Sequence, residues 1–208
     1  GQVELDIVGK AREVSDDLPK QEAIQHARIT VAKSLGVADV PIENLPAILR
    51  EKGYTTAVGD EGGFAPELVN NEQALNLLVA AIKAANFIPG KQVHLALDLA
   101  ASEFYRAGKY YLASHKQAAT ADKIIRVLEG WMKKYPFISI EDPLAEDDWD
   151  NWALFTKKFG KSVRIVADDI FVTNLERIAR GISMGVANTV LIKPNQIGTL
   201  TETMKAIS

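Results

Sequence analysis

The 208-residue chain contains no cysteine, which removes thiol catalysis, cysteine-ligated zinc and disulfide frameworks together. It also lacks a basic excess. With 24 Lys and Arg against 27 Asp and Glu, and a pI near 5.7, nucleic acid and anionic membrane surfaces are poor partners. No apolar run approaches the roughly 18 residues of a membrane span, and the first residues show no signal-peptide core. These absences lead to the expectation of a soluble intracellular protein of the cytoplasm. What the chain does have is apolar mass. At 47% hydrophobic residues it can bury a sizeable core without staples, as one domain or one domain plus a fragment.

The pattern that organises the chain is a short β-forming run ending abruptly in charge. Phe137-Ile138-Ser139-Ile140 runs into Glu141-Asp142-Pro143, which reads as a buried strand delivering acid at its C-terminal tip. Three more runs end the same way: Val93 to Asp98, Arg164 to Asp169, and Thr189 to Lys193 before Pro194. The charged tips Asp98, Glu141, Asp168 and Lys193 are separated by 43, 27 and 25 positions. Helical patterns fill the intervals, so the strands are expected to be parallel, with their tips on one face of the sheet. Such a run of βα units amounts to about half of an eight-unit barrel, whose exposed edges need completion.

The intervening patterns are mostly architectural. Val3 to Val8 alternates at period two as a strand, Ile24, Ala27, Val31 and Leu35 recur at helical spacing, and a second helix is expected from near Pro41 to before Gly53. His26 reads as an ordinary helix-surface histidine. Asn71 is placed to cap the helix of Leu75, Leu78 and Ile82, Thr120 that of Ile124 and Leu128, and Asn174 that of Leu175, Ile178 and Ile182. Gly108 to Leu112 reads as a hairpin arm whose aromatics pack, and Glu146 to Asp148 as macrodipole partners of a following helix. Gly59 to Pro66 differs. Three glycines, two acids and a proline in eight residues make a tightly shaped loop, more suited to function than to a solvated turn.

Asp98, Glu141 and Asp168 offer hard oxygen ligands without nitrogen or sulfur, a set suited to Mg²⁺. Strand-end acids can simply cap the next helix, but that explains one charged tip better than four in succession. Lys193 follows an apolar run, so burial and a nearby metal charge would lower its pKa toward that of a general base. A salt-bridge lysine is the plainer alternative.

At these residues the sequence resembles enolase, phosphopyruvate hydratase, in Val58 to Pro66 (VGDEGGFAP), Leu97 to Phe104 (LDLAASEF), Ser139 to Trp149 (SIEDPLAEDDW), Val166 to Asn174 (VADDIFVTN) and Leu191 to Leu200 (LIKPNQIGTL). The resemblance implies an α/β fold, the portion of an enolase-type (β/α) barrel with parallel strands, over residues 44–208. Residues 1–43 form an irregular N-terminal strand-helix-helix segment with no such likeness. It further implies Asp98, Glu141 and Asp168 as ligands of Mg²⁺, Lys193 as the base at C2 of 2-phosphoglycerate, and Glu61 as the acid at the departing hydroxyl. Glu141, Asp168 and Lys193 would also contact the substrate, a small phosphorylated three-carbon acid, and a homodimer is implied. A sugar-acid enzyme of the same superfamily is less well matched, since no Lys-x-Lys strand occurs and the Gly-Asp-Glu-Gly-Gly loop does.

Several parts of the resembling family are not seen in these 208 residues: its N-terminal lobe, mobile serine loop, Gly-Gly-x-His and Gln-Glu-Phe-Met segments, Ser-His-Arg-Ser-Gly motif and last barrel lysine. The two expectations that follow are reversible dehydration of 2-phosphoglycerate to phosphoenolpyruvate, and a truncated or rearranged, impaired relative that binds Mg²⁺ or a protein partner without turnover. A catalytic base contributes on the order of 10² to 10⁴-fold only once substrate is held in reacting geometry. A polypeptide of these residues alone is therefore expected to show little or no steady-state turnover with excess Mg²⁺, and a rate typical of complete family members would show that residues 1–43 supply the phosphate clamp.

Overall fold

A computed structural model describes residues 28–33, 44–58, 63–68, 70–111 and 118–208. The strand pattern of Val3 to Val8 and His26 lie outside them. A five-stranded sheet runs in the order β1 (Arg28–Lys33), β2 (Val93–Asp98), β5 (Phe137–Glu141), β6 (Arg164–Ala167), β7 (Thr189–Val190), and the strands from β2 onward pair in parallel. A two-stranded hairpin, β3 (Tyr105–Arg106) with β4 (Lys109–Tyr110), sits between β2 and β5. Each parallel connection carries a helix: α3 (Ala121–Lys134), α4 (Trp149–Phe159) and α5 (Leu175–Met184). The chain continues with α6 (Pro194–Ile197) and α7 (Leu200–Ile207). This is the α/β architecture expected, and no helix among the described residues is long and apolar enough to cross a membrane.

The first strand corrects the sequence reading. The spacing of Val31 with Ile24, Ala27 and Leu35 predicts a helix over 21–35, whereas Arg28–Lys33 pairs antiparallel with β2, from Arg28 opposite Asp98 to Lys33 opposite Val93. Two forces favour the strand. Ile29, Thr30 and Val31 are β-branched and suit a pleated surface, and the pairing satisfies the second edge of β2. A segment this short fits both periods, so long-range pairing decides it.

The helices follow their caps. Asn70, not Asn71, caps α2 (Asn71–Ala84) by accepting from the Gln73 N–H at 3.1 Å. Asn174 caps α5 by accepting from the N–H groups of Glu176 and Arg177. Gly185 closes α5 at φ 68°, the left-handed stop that glycine adopts without a Cβ penalty. The second expected helix is α1 (Asn44–Glu51), ending before Gly53 and packing Leu45 and Leu49 into the core.

Burial along β2 alternates, with Val93, Leu95 and Leu97 inside and His94, Ala96 and Asp98 half-buried on the other face. The inner residues join Leu75, Leu78, Leu128, Trp152 and Phe155 in one core. Fully burying each large side chain stabilises the fold by roughly 1.5–3 kcal/mol. The Trp152 indole, buried in that core, donates to the carbonyls of Leu144 and Ala145, each at 3.0 Å. Helix α5 departs from its predicted stripe. Ile178 is buried but Leu175 and Ile182 are exposed, and it is at Gly181 that the helix approaches Phe171.

That approach is tight. A Cβ at Gly181 would stand 2.2 Å from Cζ of Phe171, a residue of the loop that follows β6. Gly181→Ala is expected to lower stability by about 1–3 kcal/mol through overpacking, read as an earlier urea midpoint. Gly130→Ala on α3, where nothing lies within 4 Å of the added atom, is expected to raise it by roughly 0.5–1 kcal/mol.

Candidate metal and proton-transfer site

The acids gather where the register requires. Asp98 ends β2, Glu141 ends β5, and the two are direct partners in the ladder. Glu141 pairs with Val166 on β6, so Asp168, two residues further, projects from the same face one step beyond. Val166 pairs with Thr189 on β7, which carries Lys193 to the same end of the sheet. The Lys193 ammonium forms a salt bridge with Asp168 Oδ2, and Gln196 Nε2 donates to Asp168 Oδ1 at 3.1 Å. Both carboxylate oxygens of this buried acid are thus engaged.

Among the described residues the expected triad of Asp98, Glu141 and Asp168 is not itself one of the close carboxylate sets; its members are linked by a residue that strand periodicity hides. Carboxylate oxygens of Asp98, Glu141 and Asp142 lie within 4.8 Å of one another, and so do those of Asp142, Asp168 and Asp169. Asp142 belongs to both sets. A strict period-two strand would send Glu141 and Asp142 to opposite faces, but Asp142 sits at φ 39°, and this turn of the backbone brings both side chains to one cluster. Asp142 accepts from the N–H of Asp168 at 3.1 Å and from that of Asp169 at 3.0 Å. It therefore fastens the tip of β5 to the tip of β6. The one sequence signal for it was the acid pair before Pro143.

The electrostatics are strained in a definite direction. Burial pushes the Asp142 carboxyl up to about 8, helped by the charges of Asp169 and Asp98 and opposed by its two backbone N–H donors. Burial also raises Asp169, with the neighbouring Asp168 adding to it. For Lys193, burial acts downward as expected, but the hydrogen bond to Asp168 and the surrounding carboxylates outweigh it and hold the ammonium above the ordinary lysine value. The expected lowering of the Lys193 pKa is therefore corrected: partly buried though it is, the side chain realises the plainer reading, a salt-bridged lysine. The donor set fits a hard divalent cation, being carboxylate oxygen throughout with Asp142 and Asp168 buried.

The loop before the site is described in part. Val58 bridges Phe64 in antiparallel fashion, and the Ala65 N–H donates to Ala57 O at 2.9 Å, so the segment folds back on itself as a shaped loop. Phe64 is half-buried and Ala65 buried, but Val58 is exposed instead of packing down. Glu61 lies outside the described residues.

The acids after β5 are more than macrodipole partners. Tyr110 is fully buried, accepts from the Ala145 N–H at 3.0 Å and donates to Asp148 Oδ2 at 2.7 Å. Asp148 Oδ1 in turn accepts from Asn151 Nδ2 at 2.7 Å. The predicted hairpin arm thus anchors the loop that leaves Glu141 and Asp142.

Asp142 gives the site a pH signature. Its ordinary value is 3.8 and its folded value about 8, so between these the folded, metal-free chain holds a proton that the unfolded chain releases. Its contribution to stability is full below about pH 4 and falls as pH rises toward 8. A divalent cation held beside Asp142 would favour its carboxylate form, so cation affinity is expected to rise over the same window by up to about tenfold per pH unit. Urea midpoints and calorimetric Mg²⁺ titrations against pH test both slopes, which should flatten in Asp142→Asn.

Among known families, the one described as enolase, C-terminal TIM barrel domain, matches residues 26–208. The match includes β1.

Proposed function

The chain belongs to the enolase C-terminal TIM barrel family, and we propose that its site serves reversible dehydration of 2-phosphoglycerate to phosphoenolpyruvate. The observation that carries this reading is the Lys193 ammonium held against Asp168, at the end of the sheet where Asp98, Glu141 and Asp142 converge. Asp98, Glu141 and Asp168 would hold Mg²⁺, with Asp142 bracing them. When bound, the cation supplies positive charge that offsets the carboxylates and favours negative charge developing on the substrate's carboxylate.

Lys193 acts as the base. Its neutral amine takes the proton from C2, the C–H electron pair becomes the new carbon–carbon double bond, and the C3 hydroxyl leaves with a proton from Glu61 as water. Lys193 ends as ammonium and Glu61 as carboxylate, ready for the reverse addition. The base and the acid must flank the substrate, because elimination in this sense uses opposite faces. In the resting chain Lys193 is protonated and paired with Asp168, so removal of that negative partner is what frees the amine. The same pairing favours a second reading, Mg²⁺ binding without turnover. A cytoplasmic homodimer is part of the first reading.

Two measurements separate the possibilities. Asp168→Asn is expected to weaken Mg²⁺ binding by at least about tenfold in isothermal titration, and unchanged affinity would place the metal elsewhere. Lys193→Met is expected to retain Mg²⁺ while lowering any phosphoenolpyruvate formation by about 10² to 10⁴-fold in a coupled assay. Product formed by the parent chain and lost in Lys193→Met supports the first reading over the second.

A further inference from the structure

Thr173 is a buried polar residue that none of the steps above uses. It is fully inaccessible and lies in the loop between β6 and α5. Both Val172 and Thr173 adopt the left-handed region, at φ 42° and 56°. For β-branched residues this is a real departure from preferred backbone, held only where surroundings compel it. The surroundings here are hydrogen bonds. The Val172 N–H donates to Asp168 O at 2.7 Å. The Thr173 hydroxyl accepts from the Lys193 N–H at 2.9 Å and has Gln196 Oε1 at 3.3 Å and Leu191 O at 3.5 Å as acceptors for its proton.

Gln196 completes a chain. Its amide has one donor end and one acceptor end, and a carboxylate can only accept. The Nε2 group must therefore face Asp168, as it does at 3.1 Å, and the carbonyl end then turns to the Thr173 hydroxyl. Reversing the amide would set oxygen against oxygen at Asp168 and leave the Thr173 proton only Leu191 O. The acceptor-only carboxylate thereby settles which way the Gln196 amide points, and the buried Thr173 hydroxyl holds the amide's other end.

We propose that Thr173 and Gln196 are positioning residues acting as one unit: the Thr173 hydroxyl anchors the carbonyl end of the Gln196 amide, whose Nε2 holds the Asp168 carboxylate in place, while the same hydroxyl fixes the backbone of Lys193. This rests on the reading of Asp168 as a metal ligand. Carboxylates that bind metals are themselves hydrogen-bonded, and loss of such support commonly costs 10 to 100-fold in affinity. The strained turn ties the two strand tips together: the Val172 N–H holds the Asp168 carbonyl after β6, and the Thr173 hydroxyl reaches Leu191, Lys193 and Gln196 after β7.

The test is a double-mutant cycle on Mg²⁺ affinity with the full 208-residue chain, using the metal alone as probe. Thr173→Val and Gln196→Leu are each expected to weaken binding by about tenfold, and the double variant by about the same rather than the product. Thr173→Ser, which keeps the hydroxyl, is expected to recover most of the affinity. A merely structural Thr173 would lower Tm and leave the affinity of the folded protein unmoved. Unchanged affinity in Gln196→Leu, or losses that multiply in the double variant, overturns the proposal. Should Thr173→Val fail to fold, Gln196→Leu still decides, since Gln196 is exposed. Asp168→Asn is run beside them. If the parent and Asp168→Asn bind alike, the reading of the site fails first. If only Gln196→Leu matches the parent, this inference alone fails.

Discussion

Five carboxylates crowded at one end of a parallel sheet are the constraint on which the rest of the structure depends. Asp98, Glu141, Asp142, Asp168 and Asp169 come together within two overlapping sets, with Lys193 as the cation held against them. Burial and neighbouring charge raise the pKa of Asp142 and Asp169, and like charges at such separation oppose compaction. The fold answers by several means: burial that favours the neutral form of Asp142, an ammonium on Asp168, and backbone N–H groups aimed at Asp142. The donor set is also one that a divalent cation could neutralise.

Holding the cluster requires a stiff support, which the core provides. The core face of the sheet is covered by α2, α3, α4 and α5, while the acids sit on or beyond strand ends, where side chains can depart from the close-packed interior. Departures from ordinary backbone concentrate at these ends. Ala100, Asp142, Val172 and Thr173 all take positive φ, and each follows within a few residues the tip of β2, β5 or β6. Strain at such positions persists because neighbouring bonds over-determine it. Ala100 donates to Asp98 Oδ1 at 2.9 Å, Asp142 is held from β6, and Thr173 is held from Lys193. The same turns that cost stability aim the side chains.

The loop after β5 shows how distant parts of the chain share this task. Tyr110 on the hairpin reaches Ala145 and Asp148, Trp152 on α4 holds Leu144 and Ala145, and Arg177 on α5 donates to Glu146 O at 2.9 Å. Three elements therefore grip one connection. The segment that carries Glu141 and Asp142 is among the most heavily braced in the molecule, as a preorganised charged site needs.

The strand tips Asp98, Glu141, Asp168 and Lys193 were legible in the sequence because a short β-forming run ending in charge is a local pattern, and helical intervals fix parallel pairing and hence a common face. The Asn174 cap, the hairpin and the hard-oxygen character of the donors were legible for the same reason, whereas Asn70 rather than Asn71 caps α2 and Thr120, at the N-cap position of α3, makes no side-chain cap bond. Three things were decided only in three dimensions. Arg28–Lys33 fits both a helix and a strand by its own spacing, and the open edge of β2 chose the strand. Asp142 belongs to the opposite face by period, and a single positive φ moved it into the cluster. The pKa of Lys193 depends on the balance between its burial and the acids around it, and no spacing along the chain states how many carboxylates will stand within reach. Sequence fixes what each strand delivers, because periodicity is local. Which deliveries meet, and with what charge, is set by pairing and packing between segments far apart in the chain.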